Sequence, residues 1–212
     1  MVLLGDRRTP ASVRLVRAQE AERVSQTGAV GSVQEAEVTL PGSVLEQIWS
    51  PPYLERLARA YWRHLTRATL GLIRVVYTED SHTVVLLSRR LGLLRFRAPI
   101  YETAADHGSV TWPIERGVLV AAEGRDSGFL RIRVERHPDR DSDGETRVRV
   151  RLEVRNFYPW LRGTGRFARF GAWLYGRTQL RIHVLVGNSF LRSLARLDLP
   201  PSPVGALAAE NE

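Results

Sequence analysis

The sequence of 212 residues has no cysteine, no lysine and a single methionine. Without cysteine there is no disulfide and no thiolate metal site. Without lysine, all 31 basic side chains are arginine, and against 23 acids they leave a formal net charge of +8. That surplus alone would suggest nucleic acid or an anionic membrane as a partner. Complete replacement of lysine by arginine points instead to the codon bias of a GC-rich genome, so a nucleic-acid role is not expected. Long apolar runs are also missing, and none approaches the ~20 residues of a membrane span. At the start, Met1-Val2-Leu3-Leu4 meets Gly5-Asp6-Arg7-Arg8 at once. That stretch is too short for a signal-peptide core, and a cytoplasmic location is expected. No internal repeat is visible. His64, His82, His107, His137 and His183 include no pair at i,i+4, and neither H-E-x-x-H nor G-x-S-x-G occurs. No metal and no cofactor is expected.

What the chain does have is alternation. Phe129–Arg136 and Thr146–Arg155 alternate apolar and charged residues around the turn formers Asp139-Arg140-Asp141-Ser142-Asp143-Gly144. Period two means strands with one face buried and one wet. The pair predicts an antiparallel hairpin with Ile132, Val134, Val148, Val150, Leu152 and Val154 turned to a core and the arginines turned to water.

Residues 1–32 carry few large apolar side chains and predict a mobile tail with a transient helix over 11–24. A domain is expected over 33–199, and the Pro200-Pro201-Ser202-Pro203 run opens a disordered tail over 200–212. Val33–Leu40 reads as a first strand. Ser43 with Glu46 three residues on is a capping box for a short helix over Val44–Trp49. After Ser50-Pro51-Pro52, a second helix carries Leu54, Leu57, Ala58, Tyr61, Leu65 and Ala68 inward and Arg56, Arg59, Arg63 and Arg67 outward. Strands are expected over Leu70–Thr78, Thr83–Arg89, Leu93–Ala98, Ser109–Ile114 and Gly117–Ala122, an antiparallel meander. A C-terminal helix is expected over about 164–186, broken by Gly187-Asn188-Ser189 and resumed over Phe190–Leu197. A strand over Gln179–Val186 is its alternative.

The order strand, two short helices, antiparallel meander, long C-terminal helix resembles the START-like helix-grip superfamily of polyketide cyclase-like and Bet v 1-like proteins. The resemblance covers about residues 33–199. It implies an α+β fold in which a curved antiparallel sheet grips the long C-terminal helix around an apolar pocket for lipids, polyketides or hormones. The family usually has seven strands, and eight are counted here. The segment from Arg116-Gly117-Val118-Leu119 through Asn156-Phe157-Tyr158-Pro159 is also similar to uncharacterised actinobacterial proteins, which bring no activity with them.

Gly163-Thr164-Gly165-Arg166-Phe167-Ala168 fits a dinucleotide-binding pattern but lacks the buried parallel strand before it and the acid after it, so it reads as a loose sheet-to-helix junction. On the C-terminal helix, Phe167, Phe170, Leu174, Thr178 and Leu185 share one face, with Arg181 in its middle. An arginine there needs a partner. It either forks onto a ligand carboxylate or phosphate, pairs with a sheet acid, or snorkels to water. The expected ligand-binding set is Arg181, Thr178, Leu174, Phe170, Tyr101 and Trp112. The function expected is a binding or carrier module for an apolar or amphipathic small molecule, with weak contact to an anionic membrane open. The alternatives are a cyclase-type enzyme using Tyr101, Glu102 or Glu115, or an arginine-rich protein acting on anionic membrane or nucleic acid.

Overall fold

The computed structural model describes residues 11–23, 30–78, 81–86, 92–117, 119–120, 124–140, 144–157 and 184–196. Among them are the strands β1 (Ser12–Arg23), β2 (Val30–Pro41), β3 (Ile73–Thr78), β4 (Ser81–Leu86), β5 (Gly92–Arg97), β6 (Ile100–Thr103), β7 (His107–Arg116), β8 (Gly128–Arg140) and β9 (Glu145–Phe157). The helices are α1 (Gly42–Ile48), α2 (Pro51–Ala68) and α3 (184–193), and a 3-10 turn follows at Leu194–Arg196. All strands join one antiparallel sheet in the order β1-β2-β9-β8-β7-β5-β4-β3, with β6 branching from β7.

The charged–apolar alternation sets the facing of the central strands. Leu130 pairs with Val154, Ile132 with Leu152 and Val134 with Val150. Ile132, Leu152, Val150 and Val148 are buried against the helices. Their neighbours Arg133, Arg149 and Arg151 project from the opposite face. There Arg14 bonds Glu37 at 2.6 Å, Arg151 reaches Glu35 at 3.1 Å and Arg133 reaches Glu135 at 2.6 Å. The acids of β2 thus neutralise the arginines of β9 across the strand pairing. Arg131 lies over the Phe129 ring at 4.7 Å and donates to Thr111 Oγ1 at 2.8 Å, so even the outer-face Thr111 is shielded.

Three expectations are corrected here. Residues 12–23 are a strand rather than part of a tail with a helix. Alanines and glutamates favour a helix locally, but β2 presents an open edge, and Val13 and Leu15 pair there with Val38 and Ala36. The strand count is nine rather than seven or eight, and β1 precedes the pair of helices. Finally, the strand expected over Gly117–Ala122 is not seen among the described residues: after Gly117 they turn, with the Leu119 N–H donating to the Leu93 carbonyl at 3.1 Å and the Val120 N–H to the Gly117 carbonyl at 3.1 Å.

α2 buries Leu54, Leu57, Ala58, Tyr61 and Trp62 on the sheet. Leu65 packs partly, while Ala68 is exposed in a last turn that has left the core. The Arg59–Glu55 pair forms at 3.1 Å on the outer face. The capping box does not form: α1 starts at Gly42 after Pro41, without a side-chain cap, and Glu46 is taken by Arg136 at 2.9 Å. The described part of the C-terminal helix is short. It runs unbroken through Gly187-Asn188-Ser189, where a break was expected, and most of the expected helix over 164–186 lies outside the described residues. α3 packs antiparallel to α2. Ser189 Oγ sits 3.1 Å from His64 Nε2, Phe190 meets the Tyr61 ring at 5.2 Å, and Leu194 lies near the first turns of α2.

Candidate functional site

α1 and α2 meet at Trp49-Ser50, where Pro51-Pro52 forces a new helix start and Ser50 adopts an extended backbone. This corner stands over the sheet. Two contacts fix it. The Trp49 indole N–H donates to the Ala104 carbonyl at 3.3 Å, and the Arg136 guanidinium stacks over the Trp49 ring at 4.2 Å while bonding Glu46. Below the corner is a cavity of about 60 Å³. At ~10–15 Å³ for each water-sized sphere, that is room for roughly four to six such spheres, a small apolar group.

Its walls are Val38, Leu40, Leu45, Ile48, Leu54, Leu57, Val134, Val148, Val150 and Leu194, with Trp49, Ser50, Tyr53, Thr103 and Gly108 completing the lining. Gly108 has a specific reason. A Cβ there would stand 2.9 Å from Leu54 Cδ1, so glycine lets α2 sit close on β7 and shut that side. Burial pushes the Tyr53 phenol up to about 12, opposed by the Arg56 charge, so it is a neutral donor at physiological pH. The pocket therefore offers aliphatic surface, three hydroxyls and no carboxylate among the described lining residues. Such a space suits the apolar end of a small molecule.

Trp112 on β7 does not line this cavity. It is fully buried behind it, with Trp62 at 5.2 Å edge-on and Tyr61 at 6.5 Å, in an aromatic block that includes Phe96 and Phe190. Tyr101 on β6 also lies outside the lining. It is half-exposed beside α2, and its phenol is raised by burial and by the Glu55 charge. Arg181, Thr178, Leu174 and Phe170 lie outside the described residues, as does the Gly163–Ala168 pattern. Of the acids considered for catalysis, Glu102 accepts from Ser109 Oγ at 3.0 Å and Glu115 pairs with Arg95 at 3.0 Å. Both are arranged as structural partners. The sequence reading missed the α1–α2 corner as a cavity wall. Its signal was present: Leu45, Ile48 and Trp49 crowd a helix too short to serve only as a scaffold, just before a double proline.

Among the described residues, His64 lies on α2, His82 on β4, His107 on β7 and His137 on β8. His82 on β4 packs edge-on to Tyr77 at 4.8 Å and lies 6.4 Å from Trp62. Burial lowers the pKa of His64 and of His82, with Arg67 and Arg59 adding to it, below the ordinary 6.5. The unfolded chain therefore binds these protons first as pH falls. The stability tied to the neutral rings is complete above about pH 6.5 and is lost as pH drops from there through the folded-state values. The urea midpoint should fall between pH ~7.5 and ~5.5. Replacing both His64 and His82 with glutamine should flatten that fall; an unchanged slope would mean neither ring titrates with unfolding. Asp106, held low by its hydrogen bond to His107, and Glu37, held low by Arg14, act only in the more acidic carboxylate range.

No protein-family model matches this chain, and no curated protein is similar to it in sequence. Among solved structures, it is similar to CalU16 from Micromonospora echinospora at 13% identity, covering 90% of this chain and 79% of that one with a TM-score of 0.33. An uncharacterised protein from Rhizobium leguminosarum is similar at 10% identity, over 79% and 99% of the two chains, with a TM-score of 0.32. Human STARD10 is similar at 7% identity, over 80% and 72%, with a TM-score of 0.25. At these values no ligand or activity passes from them to this chain. Fold and cavity by themselves define an α+β protein with an apolar pocket between a large antiparallel sheet and a helical corner.

Proposed function

We propose that this protein binds or carries a small apolar or amphipathic molecule, whose apolar end enters the cavity beneath the α1–α2 corner. The observation that carries the reading is the composition of that cavity: ten aliphatic side chains with a neutral Tyr53 phenol, bordered by Ser50 and Thr103. An apolar cavity lined this way holds water poorly and gains from any aliphatic group that fills it. The phenol and hydroxyls suit an uncharged oxygen near that group.

The direct test is native mass spectrometry of the protein purified from its own host, where a co-purifying small molecule is expected. Thr103→Trp should crowd the mouth without touching the core. It should strip that molecule while leaving the circular dichroism and melting temperature unchanged. Retention of the molecule by this variant would place binding elsewhere. Arg181, set by helical spacing among Phe170, Leu174 and Thr178, is proposed as the counter-charge for an anionic head group. Arg181→Met keeps most of the stem, so a folded variant that no longer carries an anionic amphiphile supports this role. Normal binding, or simple unfolding, makes Arg181 a structural residue. Tyr101 keeps a proposed ligand role only for a molecule reaching beyond the cavity, while the fully buried Trp112 can only back such a site.

A further inference from the structure

The end of the molecule opposite the cavity has a different character. α2 closes in a paired hydrogen-bond motif: the Leu70 N–H donates to the Arg67 carbonyl at 3.0 Å and the Gly71 N–H to the Thr66 carbonyl at 2.8 Å. In this motif the first residue past the cap is left-handed and is usually glycine. Here it is Leu70, at φ 52°, and it is 92% exposed. A leucine in that conformation is strained, and an exposed one gains nothing from the core. Leu72, two residues on, is also exposed. α3 runs antiparallel to α2, with Ser189 beside His64. Leu185, one turn before Ser189, is therefore carried to the same end, and it too is exposed. These three are all the exposed leucines among the described residues.

The segment that forms this end carries charge of one sign: from Arg63 to Thr78 the sequence has three arginines and no acid. Arg63, Arg67 and Arg74 are exposed around the turn, and Arg74 Nε donates to the Gly71 carbonyl at 3.1 Å, bracing it. Protruding leucines within a basic collar match a bilayer interface with anionic head groups, which takes the apolar tips and attracts the guanidinium groups. We propose that the α2–β3 turn and Leu185 of α3 form a surface that docks on an anionic lipid bilayer. α2, at 18 residues, is about 27 Å long and separates this surface from the cavity at its other end. The proposal thus stands or falls independently of ligand binding.

The test is co-sedimentation of the full chain with vesicles of phosphatidylcholine plus phosphatidylglycerol, against phosphatidylcholine alone. Binding should need the anionic lipid and weaken as salt is added. Leu70→Gly with Leu72→Ser should weaken partitioning at least about tenfold, the size expected for withdrawing a leucine side chain from an interface. Leu70→Gly alone should leave the melting temperature equal or higher, since glycine relieves the left-handed strain. Val16→Ser, exposed on the edge strand β1 at the far side of the sheet, should bind as the parent does. Absence of binding at low salt, indifference to phosphatidylglycerol, or full binding by the double leucine variant would each overturn the proposal.

Discussion

Val150→Asp should abolish folding, while Arg149→Gln, one residue away, should shift stability by less than ~1 kcal/mol. Val150 is buried on β9, paired with Ala36 on one side and Val134 on the other, and it forms part of the cavity wall. A carboxylate there has no partner within the core, and the aliphatic cavity it faces hydrates it far less well than bulk water. Burying it costs several kcal/mol, a large part of the ~5–15 kcal/mol a domain has in total. Arg149 projects from the other face, about two-thirds shielded, and its ion pair with Glu37 is long at 3.9 Å. Glu37 keeps Arg14 at 2.6 Å in any case. Chemical denaturation of both variants decides the matter. Similar losses from the two would mean that β9 faces the other way.

Gly187→Ala should destabilise the protein by about 2–3 kcal/mol, although alanine is the better helix former by ~1 kcal/mol. Gly187 lies in mid-helix, with its Cα pressed onto the sheet. An added Cβ would overlap the Gln34 amide, 2.8 Å from its Cδ, and stand 2.9 Å from Leu152 Cδ2. Gln34 is itself buried at 1% exposure, so its side chain has no room to swing away. Gln34→Ala in the Gly187→Ala background should recover much of the loss, because the amide has no hydrogen-bond partner among the described residues and its removal opens the space. A double-mutant cycle by urea denaturation should give a coupling of at least ~1 kcal/mol. Simple stabilisation by Gly187→Ala would show that α3 is not seated on β2 and β9.

These two experiments also mark the boundary between local and tertiary causes. The facing of β8 and β9 follows from residue chemistry alone: valine and isoleucine alternate with arginine, and a one-residue slip would bury the whole charged set. The same holds for α2, whose apolar residues recur at helical spacing and whose start is fixed by Ser50-Pro51-Pro52. Trp62 escaped that reading because it adjoins Tyr61, yet the block formed with Phe96 and Trp112 makes it as buried as Tyr61.

Other features had no local cause. The β1 segment favours a helix by composition and is a strand because the free edge of β2 takes it. Ser43 and Glu46 have the spacing of a capping box, but Arg136, 90 residues away in sequence, claims the Glu46 carboxylate. Gly187 reads as a helix breaker, and becomes instead a point of close approach between α3 and the sheet. The cavity belongs with these: its walls come from β2, β6, β7, β8, β9, both helices of the corner and the 3-10 turn after α3, and only their packing brings Leu45, Leu57, Val150 and Leu194 together. The sequence by itself determined which face of each strand and helix is apolar, because that depends on neighbours two to four residues away. Tertiary structure alone decided which faces meet and where they leave a gap, because that depends on contacts between segments far apart in the chain.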